Sequence, residues 1–340
     1  MEQFLKVNAN SQLSGLIRTQ PEDFQVDEIQ QFKASGIGEH VWLHIKKTGE
    51  NTDWVARELA KVADVPRRDV SYAGMKDRNA VTTQWFSVQM PGRDAPDWQK
   101  KLPDSVQVLA EKRHDRKLRR GALVGNQFKL LIRDFNGEET ELRDTIERIQ
   151  SEGVPNYFGE QRFGYKASNI SKAEQWFTEG YRIKDRNKRS IYLSAARSWI
   201  FNHILSERIK EGSWNQAVEG DVFMLDGTKS CFIETVGEII KQRILRQDIH
   251  PTGALWGRGR LASQGSIFEL ENELRKQFLV LSDGLERQGL KQERRSLRLP
   301  VRNFGFEILH FDLLQLTFSL PAGTYATSVL AEIGRFSLSD

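Results

Sequence analysis

One cysteine in 340 residues, Cys231, leaves nothing from which to build a disulfide framework or a cysteine-rich zinc site. Its expected place is that of a small buried apolar residue. No run of 18 apolar residues occurs, which excludes a helical membrane span. The opening Met1–Asn8 has no apolar run of the kind a signal peptide needs, so a reduced, cytoplasmic setting is the expectation. The six histidines, at 40, 44, 114, 203, 250 and 310, show no metal-ligand spacing. No glycine-rich loop ends in Gly-Lys-Ser/Thr, so a nucleotide cofactor is not implied. Strong overall charge is missing too: the net charge is only +4, and any basicity must be local to matter.

What is present fits a globular chain of two domains, or of one with a large insertion. Residues 13–29 read as strand, turn and strand, with Phe24, Val26 and Glu28 alternating with Gln25 and Asp27. Val41, Leu43 and Ile45 share one face of a further strand. Asn51 or Thr52 can cap a helix carrying Val55, Leu59 and Val62, which Pro66 stops. Phe86, Val88 and Met90 mark another strand, and Asn126, Phe128, Leu130 and Ile132 share one face of the strand after Gly121 and Gly125. Leu316, Phe318 and Leu320 alternate again near the end, as a strand that would pair back with the N-terminal half. His250-Pro251-Thr252-Gly253 reads as a turn. Gly257-Arg258-Gly259-Arg260 is set aside as a dinucleotide fingerprint, because no apolar strand precedes it and two arginines sit inside it.

Two features point to chemistry. The first is Tyr72-Ala73-Gly74-Met75-Lys76-Asp77-Arg78, in which Gly74 permits a bend and Asp77 lies in a short turn between two cations. Opposite charge nearby favours an ionised carboxylate, available as nucleophile, base or metal ligand. A solvated turn residue fits the same spacing. The second is the cluster Arg113-His114-Asp115-Arg116-Lys117-Leu118-Arg119-Arg120. With Arg182–Arg189 and Arg294–Arg298 it favours a polyanionic partner over a small neutral substrate.

The Asp77 stretch resembles the catalytic motif of the TruD family of tRNA pseudouridine synthases. Four further stretches agree with that family in the same order: Arg18–Glu28, Gly121–Phe128, Gly153–Gly164 and Leu320–Ile333. The resemblance implies an α+β fold: a pseudouridine-synthase domain with a mixed, mainly antiparallel sheet, discontinuous over residues 1–152 and 305–340. It implies an inserted α/β TRUD domain over 153–304, and a cleft between the two. It further implies a monomer that isomerises a uridine of tRNA, uridine 13 in the usual bacterial case, with no cofactor, no metal and no membrane association.

By the same resemblance Asp77 is the catalytic residue. Asn126 of Gly-Asn-x-Phe hydrogen-bonds beside it, and Phe128 stacks on the flipped base. Arg18 falls where the family has a basic residue near the carboxylate; a guanidinium does not deprotonate, so charge pairing fits it better than proton shuttling. Phe158 and Arg162, in the run Asn156–Gly164, are expected to line the cleft. Lys76, Arg78, Arg113, Arg116, Lys117, Arg119 and Arg120 form the expected RNA-binding set. Alternation of Phe128 with Leu130 and Ile132 equally fits burial in the core. The rival reading is an RNA-binding or chaperone protein without chemistry, using the same basic surfaces.

Overall fold

The structure is a computed structural model and describes residues 4–30 and 34–338. The outermost residues of the expected catalytic domain, 1–3 and 339–340, lie outside that range. In chain order the first part runs β1 (Ser14–Ile17), β2 (Phe24–Ile29), β3 (His40–Thr48), α1 (Thr52–Ala63), β4 (Val70–Tyr72), β5 (Val81–Gln89), α2 (Trp98–Lys101), β6 (Val106–His114), β7 (Gly125–Asn136) and α3 (Glu139–Glu152). Then come β8 (Val154–Pro155), α4 (Ser168–Glu179), α5 (Arg186–Lys210), β9 (Val222–Leu225), β10 (Cys231–Ile233), α6 (Glu238–Leu245), β11 (Ile249–Leu255), α7 (Gly265–Gln277), α8 (Leu279–Arg287), β12 (Glu293–Ser296) and β13 (Arg298–Leu299). The chain ends with β14 (Arg302–His310), β15 (Leu313–Pro321), α9 (Ala326–Ile333) and β16 (Arg335–Leu338).

The chain divides into two compact units. One comprises Gln12–Leu142, Arg302–Gly323 and the residues from Arg335 onward. It is organised by a sheet whose central order is β14-β15-β7-β2-β5-β3-β6, with β1, β4 and β16 attached beside it. Pairing is antiparallel except for β1 with β16 and β2 with β5. The inward alternation read in β2, β3, β5, β7 and β15 is what aligns the strands. A single row of side chains crosses five of them: Phe318, Phe128, Val26, Thr82 and Lys47 are successive register partners. Val55, Leu59 and Ala63 of α1 cover the end of that face formed by Val41, Leu43, Ile45, Phe86 and Val88. α1 ends at Asp64 in a left-handed conformation, before Pro66 is reached.

β7 and β15 approach closely at Gly125, where a Cβ would collide with the main-chain oxygen of Leu320. Only glycine permits that spacing. The turn between β1 and β2 is a single helical turn, Pro21–Asp23, clamped by a bidentate ion pair. Arg133 Nε donates to Asp23 Oδ2 at 2.9 Å and Nη2 to Oδ1 at 2.8 Å, with the aspartate side chain fully buried.

The second unit comprises the residues up to Ser11, Arg143–Val301 and Thr324–Gly334. Helices α4, α5, α7 and α8 enclose a core of Trp176, Phe177, Ile200, Phe201, Leu281 and Leu285. Beside them the antiparallel sheet β10-β9-β11-β12 carries Phe223, Ile249 and Ala254 inward. Asp185 caps α5, accepting from the amides of Asn187 and Lys188. Arg208 donates to Asp221 at 2.7 Å, both fully buried.

Three local expectations are corrected. Cys231 is exposed, because β10 is an edge strand on which Phe232 is the more buried of three residues. His250–Gly253 is no turn but the buried middle of β11, with Pro251 where pairing passes from β9 to β12. That position spares a proline the cost of its missing N–H. The same strand places an apolar run directly before Gly257, although the segment after Arg260 is loop until α7 begins at Gly265.

Candidate active site

Asp77 lies in the loop Ala73–Ala80, between β4 and β5. A short strand therefore leads into the loop. Its carboxylate is half-exposed and accepts from Arg18 Nη2 at 2.6 Å. Arg18 follows β1 with φ of 58°, a left-handed conformation uncommon for a residue with Cβ. That kink turns the guanidinium out of the strand. Its Cζ lies 3.9 Å from the centre of the Phe24 ring, so the group rests on aromatic surface while Nη2 meets the carboxylate.

The main chain of the loop is fixed from below. Lys47, fully buried, donates from Nζ to the main-chain oxygen of Asp77 at 2.8 Å. Thr52 Oγ1 accepts from the Lys76 amide at 2.9 Å and donates to Gln84 Oε1, while Gln84 Nε2 donates to the Gly74 oxygen. Arg78 Nε donates to the Gly49 oxygen, and the Gly121 amide to that of Ala73. Main-chain groups satisfied in this way leave a loop little freedom to reorganise. Gly74 contributes less than expected, since it has no positive φ and a Cβ there would meet Leu123 at an ordinary 3.4 Å.

Three charges are drawn beneath the loop. Burial lowers the pKa of Lys47 to about 8, partly offset by the Asp77 charge. Burial also lowers that of Lys76, opposed by Glu28 and Asp77. Burial raises that of Glu28, opposed chiefly by Lys76. Lys76 thus faces an interior carboxylate, while Arg78 is exposed beside Asp77.

Phe128 is 6% exposed, stacked on Phe318 at 5.3 Å between ring centres and meeting Phe24 edge-on at 6.2 Å. The same Phe24 carries Arg18, so an unbroken chain of contacts runs Asp77–Arg18–Phe24–Phe128–Phe318. Asn126 lies in the adjacent row of β7, between Glu28 and Leu320. Its Oδ1 is buried and accepts no hydrogen bond from the described residues.

The basic segment Arg113–Arg120 begins in β6 and continues as a loop docked on this unit. Leu118 is buried, its amide donating to Ser87 and its oxygen accepting from Ser71. Arg113 donates to the Arg93 oxygen and Lys117 to that of Arg68, whereas Arg116, Arg119 and Arg120 are exposed. Arg120 lies 5.9 Å from the Tyr72 ring centre.

Phe158 and Arg162 belong to the other unit. Phe158 is bracketed by Arg295, 4.1 Å from its ring centre, and by the edge of Phe201. Its amide and carbonyl are both bonded to the Asn202 side chain. Arg162 donates to Ser194 and to the Tyr325 hydroxyl. Burial lowers the pKa of Arg295 to about 10.

The family model for tRNA pseudouridine synthase D (TruD) matches residues 2–172 and 168–333. The chain belongs to the TruD family. It is 50% identical over 323 residues to the tRNA pseudouridine synthase D of Methylococcus capsulatus, covering 95% of this chain and 91% of that one. To that of Hydrogenovibrio crunogenus it is 43% identical, covering 96% and 94%. A crystal structure from Methanosarcina mazei with the same family title superposes with a TM-score of 0.74 over 97% of this chain and 95% of that one; at 24% identity it attests the fold.

Within this TruD-family chain, sequence reasoning missed Lys47 and the burial of Glu28. Both stood at inward positions of alternating strands, after Val41, Leu43 and Ile45 and after Phe24 and Val26. A charge continuing an apolar alternation was the signal.

Proposed function

We propose that the protein is a tRNA pseudouridine synthase that acts on uridine 13, with Asp77 as its catalytic carboxylate. The observation that carries this reading is the setting of Asp77: an accessible carboxylate held against a guanidinium, on a loop whose backbone a buried lysine restrains. Such fixed geometry suits one group that must meet a nucleoside drawn out of the RNA stack.

In the reaction the N1–C1′ bond breaks, the uracil turns, and a C5–C1′ bond forms. The proton on C5 is lost to solvent and N1 acquires one, so the product is an isomer of the substrate. Asp77 begins the sequence by attack at C1′ or by removal of a sugar proton. Arg18 pairs with that carboxylate at 2.6 Å and holds its direction. Asn126, whose side-chain oxygen accepts no hydrogen bond from the described residues, offers one to the ribose or to uracil N3–H. Phe128 supplies aromatic surface for the base, and Phe158 and Arg162, on the inserted domain 153–304, meet RNA. Arg78, Arg116, Arg119 and Arg120 meet phosphates.

The test is release of tritium from tRNA labelled at uridine C5, with chelator present. A synthase releases label and leaves the RNA whole. Asp77→Asn abolishes release while tRNA affinity changes by no more than a few-fold, because phosphate contacts dominate that affinity. Tight binding without release by the unaltered protein would instead identify an RNA chaperone.

A further inference from the structure

On the unit containing α5, two adjoining cavities of about 700 and 540 Å³ share Arg186 and Arg189. The first is walled by Trp176, Phe177 and Tyr181 and adds Arg182, Lys184 and Arg287. The second is floored by Phe158, Leu193, Leu255 and Leu290 and adds Arg197. No carboxylate lines either one. Asp185, the acidic residue nearest in sequence, caps α5 through one oxygen and forms no ion pair with these cations among the described residues, whereas Arg197 is paired with Glu293 at 2.9 Å.

The spacing along α5 is regular. Arg186, Ser190, Ser194 and Ser198 follow one another every fourth residue, and Arg189, Leu193 and Arg197 do the same alongside. One stripe of the helix therefore exposes Arg186, Arg189 and Ser190 over apolar surface, while further along Ser194 accepts from Arg162, Arg197 is bonded to Glu293 and to the Leu255 oxygen, and Ser198 is buried. From Arg186 to Arg197 the stripe extends roughly 16 Å along the axis. Arg189 and Arg287 are steadied by Gln288 and by the Phe177 oxygen. The side chains of Arg182, Lys184 and Arg186 are exposed. Cations strung along an axis, and not converging on a point, suit a linear polyanion better than a single small anion. Hydroxyls and aromatic rings between them suit ribose and base.

We propose that this trough along the first turns of α5 binds the sugar-phosphate backbone of a substrate RNA segment other than the reacting nucleotide. The proposal rests on the reading of tRNA as substrate. It makes the arginines of the sequence Arg182–Arg189 affinity determinants with no part in bond rearrangement.

The experiment compares the full-length protein with its Arg182→Gln/Arg186→Gln double variant, using an unmodified tRNA transcript. Dissociation constants are measured across a salt series, and turnover at saturating tRNA. Both side chains are exposed and hold nothing in place, so the melting temperature stays unchanged. The expected result is a logarithmic salt slope shallower by about 1.4–1.8, from two lost phosphate contacts. Affinity falls, kcat is unchanged, and the double lysine variant recovers most of the slope. A double variant with the parent's slope and affinity overturns the trough while leaving the synthase reading intact. Parent protein that neither binds nor converts tRNA overturns both. Loss of affinity for an acidic peptide, with tRNA binding untouched, would assign the trough to a protein partner and refute the proposal.

Discussion

Lys47 donates a hydrogen bond to the main-chain oxygen of Asp77, 2.8 Å away, from a position with no solvent exposure. Its pKa, lowered to about 8 by burial, has two consequences of opposite sign. Between pH 8 and the ordinary lysine value of 10.5, the unfolded chain binds the proton more readily than the folded one. The residue's contribution to stability therefore rises with pH through that window. Loss of its charge in the same window removes the attraction that holds the Asp77 loop, so kcat falls on an alkaline limb with a midpoint near 8. In Lys47→Met both the limb and the alkaline gain in stability disappear, and kcat is lower throughout. A pH series of turnover and of urea unfolding checks this; an unaltered limb in the variant refutes it.

Arg18→Gln removes the charged partner of Asp77 while keeping a donor. A charge-assisted hydrogen bond contributes about 1.5–3 kcal/mol, so single-turnover rates fall by roughly 10- to 150-fold. Affinity for tRNA remains within a few-fold. A loss of affinity as large as the loss of rate would reassign Arg18 to RNA binding.

Phe128 is both a core ring and the candidate base-stacking residue, and two variants separate the roles. Phe128→Ala opens a cavity against Phe24 and Phe318 and costs about 3–5 kcal/mol. Phe128→Leu preserves most of the volume and costs about 1 kcal/mol. If the ring stacks on the base, the leucine variant folds normally yet loses turnover. Full turnover in that variant confines Phe128 to packing.

Asp221→Ala leaves the guanidinium of Arg208 buried without its carboxylate. Removing one member of such a pair costs about 3–5 kcal/mol. Calorimetry should show a lower melting temperature, with turnover retained well below it. Replacing both members with apolar residues of similar volume should recover much of the loss.

Much of the sheet was legible because its strands obey a period of two. The inward sets of β3, β5, β7 and β15 were readable directly, and Asn126 and Phe128 fall on one face as the alternation requires. What could not be read was pairing. Nothing local says that Thr82 stands beside both Val26 and Lys47, or that Phe24 receives Arg18 on its face. Cys231 was misplaced because type-based burial takes no account of edge strands. The turn reading of His250–Gly253 failed because proline and glycine punctuate only where the ladder needs an N–H or a side chain. In β11 the tertiary pairing demands neither at those positions. Lys76 looked like a surface cation until Glu28 was found beneath it.

The register that sets Phe128 against Phe318 has a kinetic corollary during synthesis. The partner strand is made only after all of Arg143–Val301 has emerged, so β7 must wait, its edge unpaired, for the ribosome to reach β15. Long-range pairing of this kind is slow and aggregation-exposed. Nascent chains arrested before Leu313 should therefore be sensitive to protease within β7.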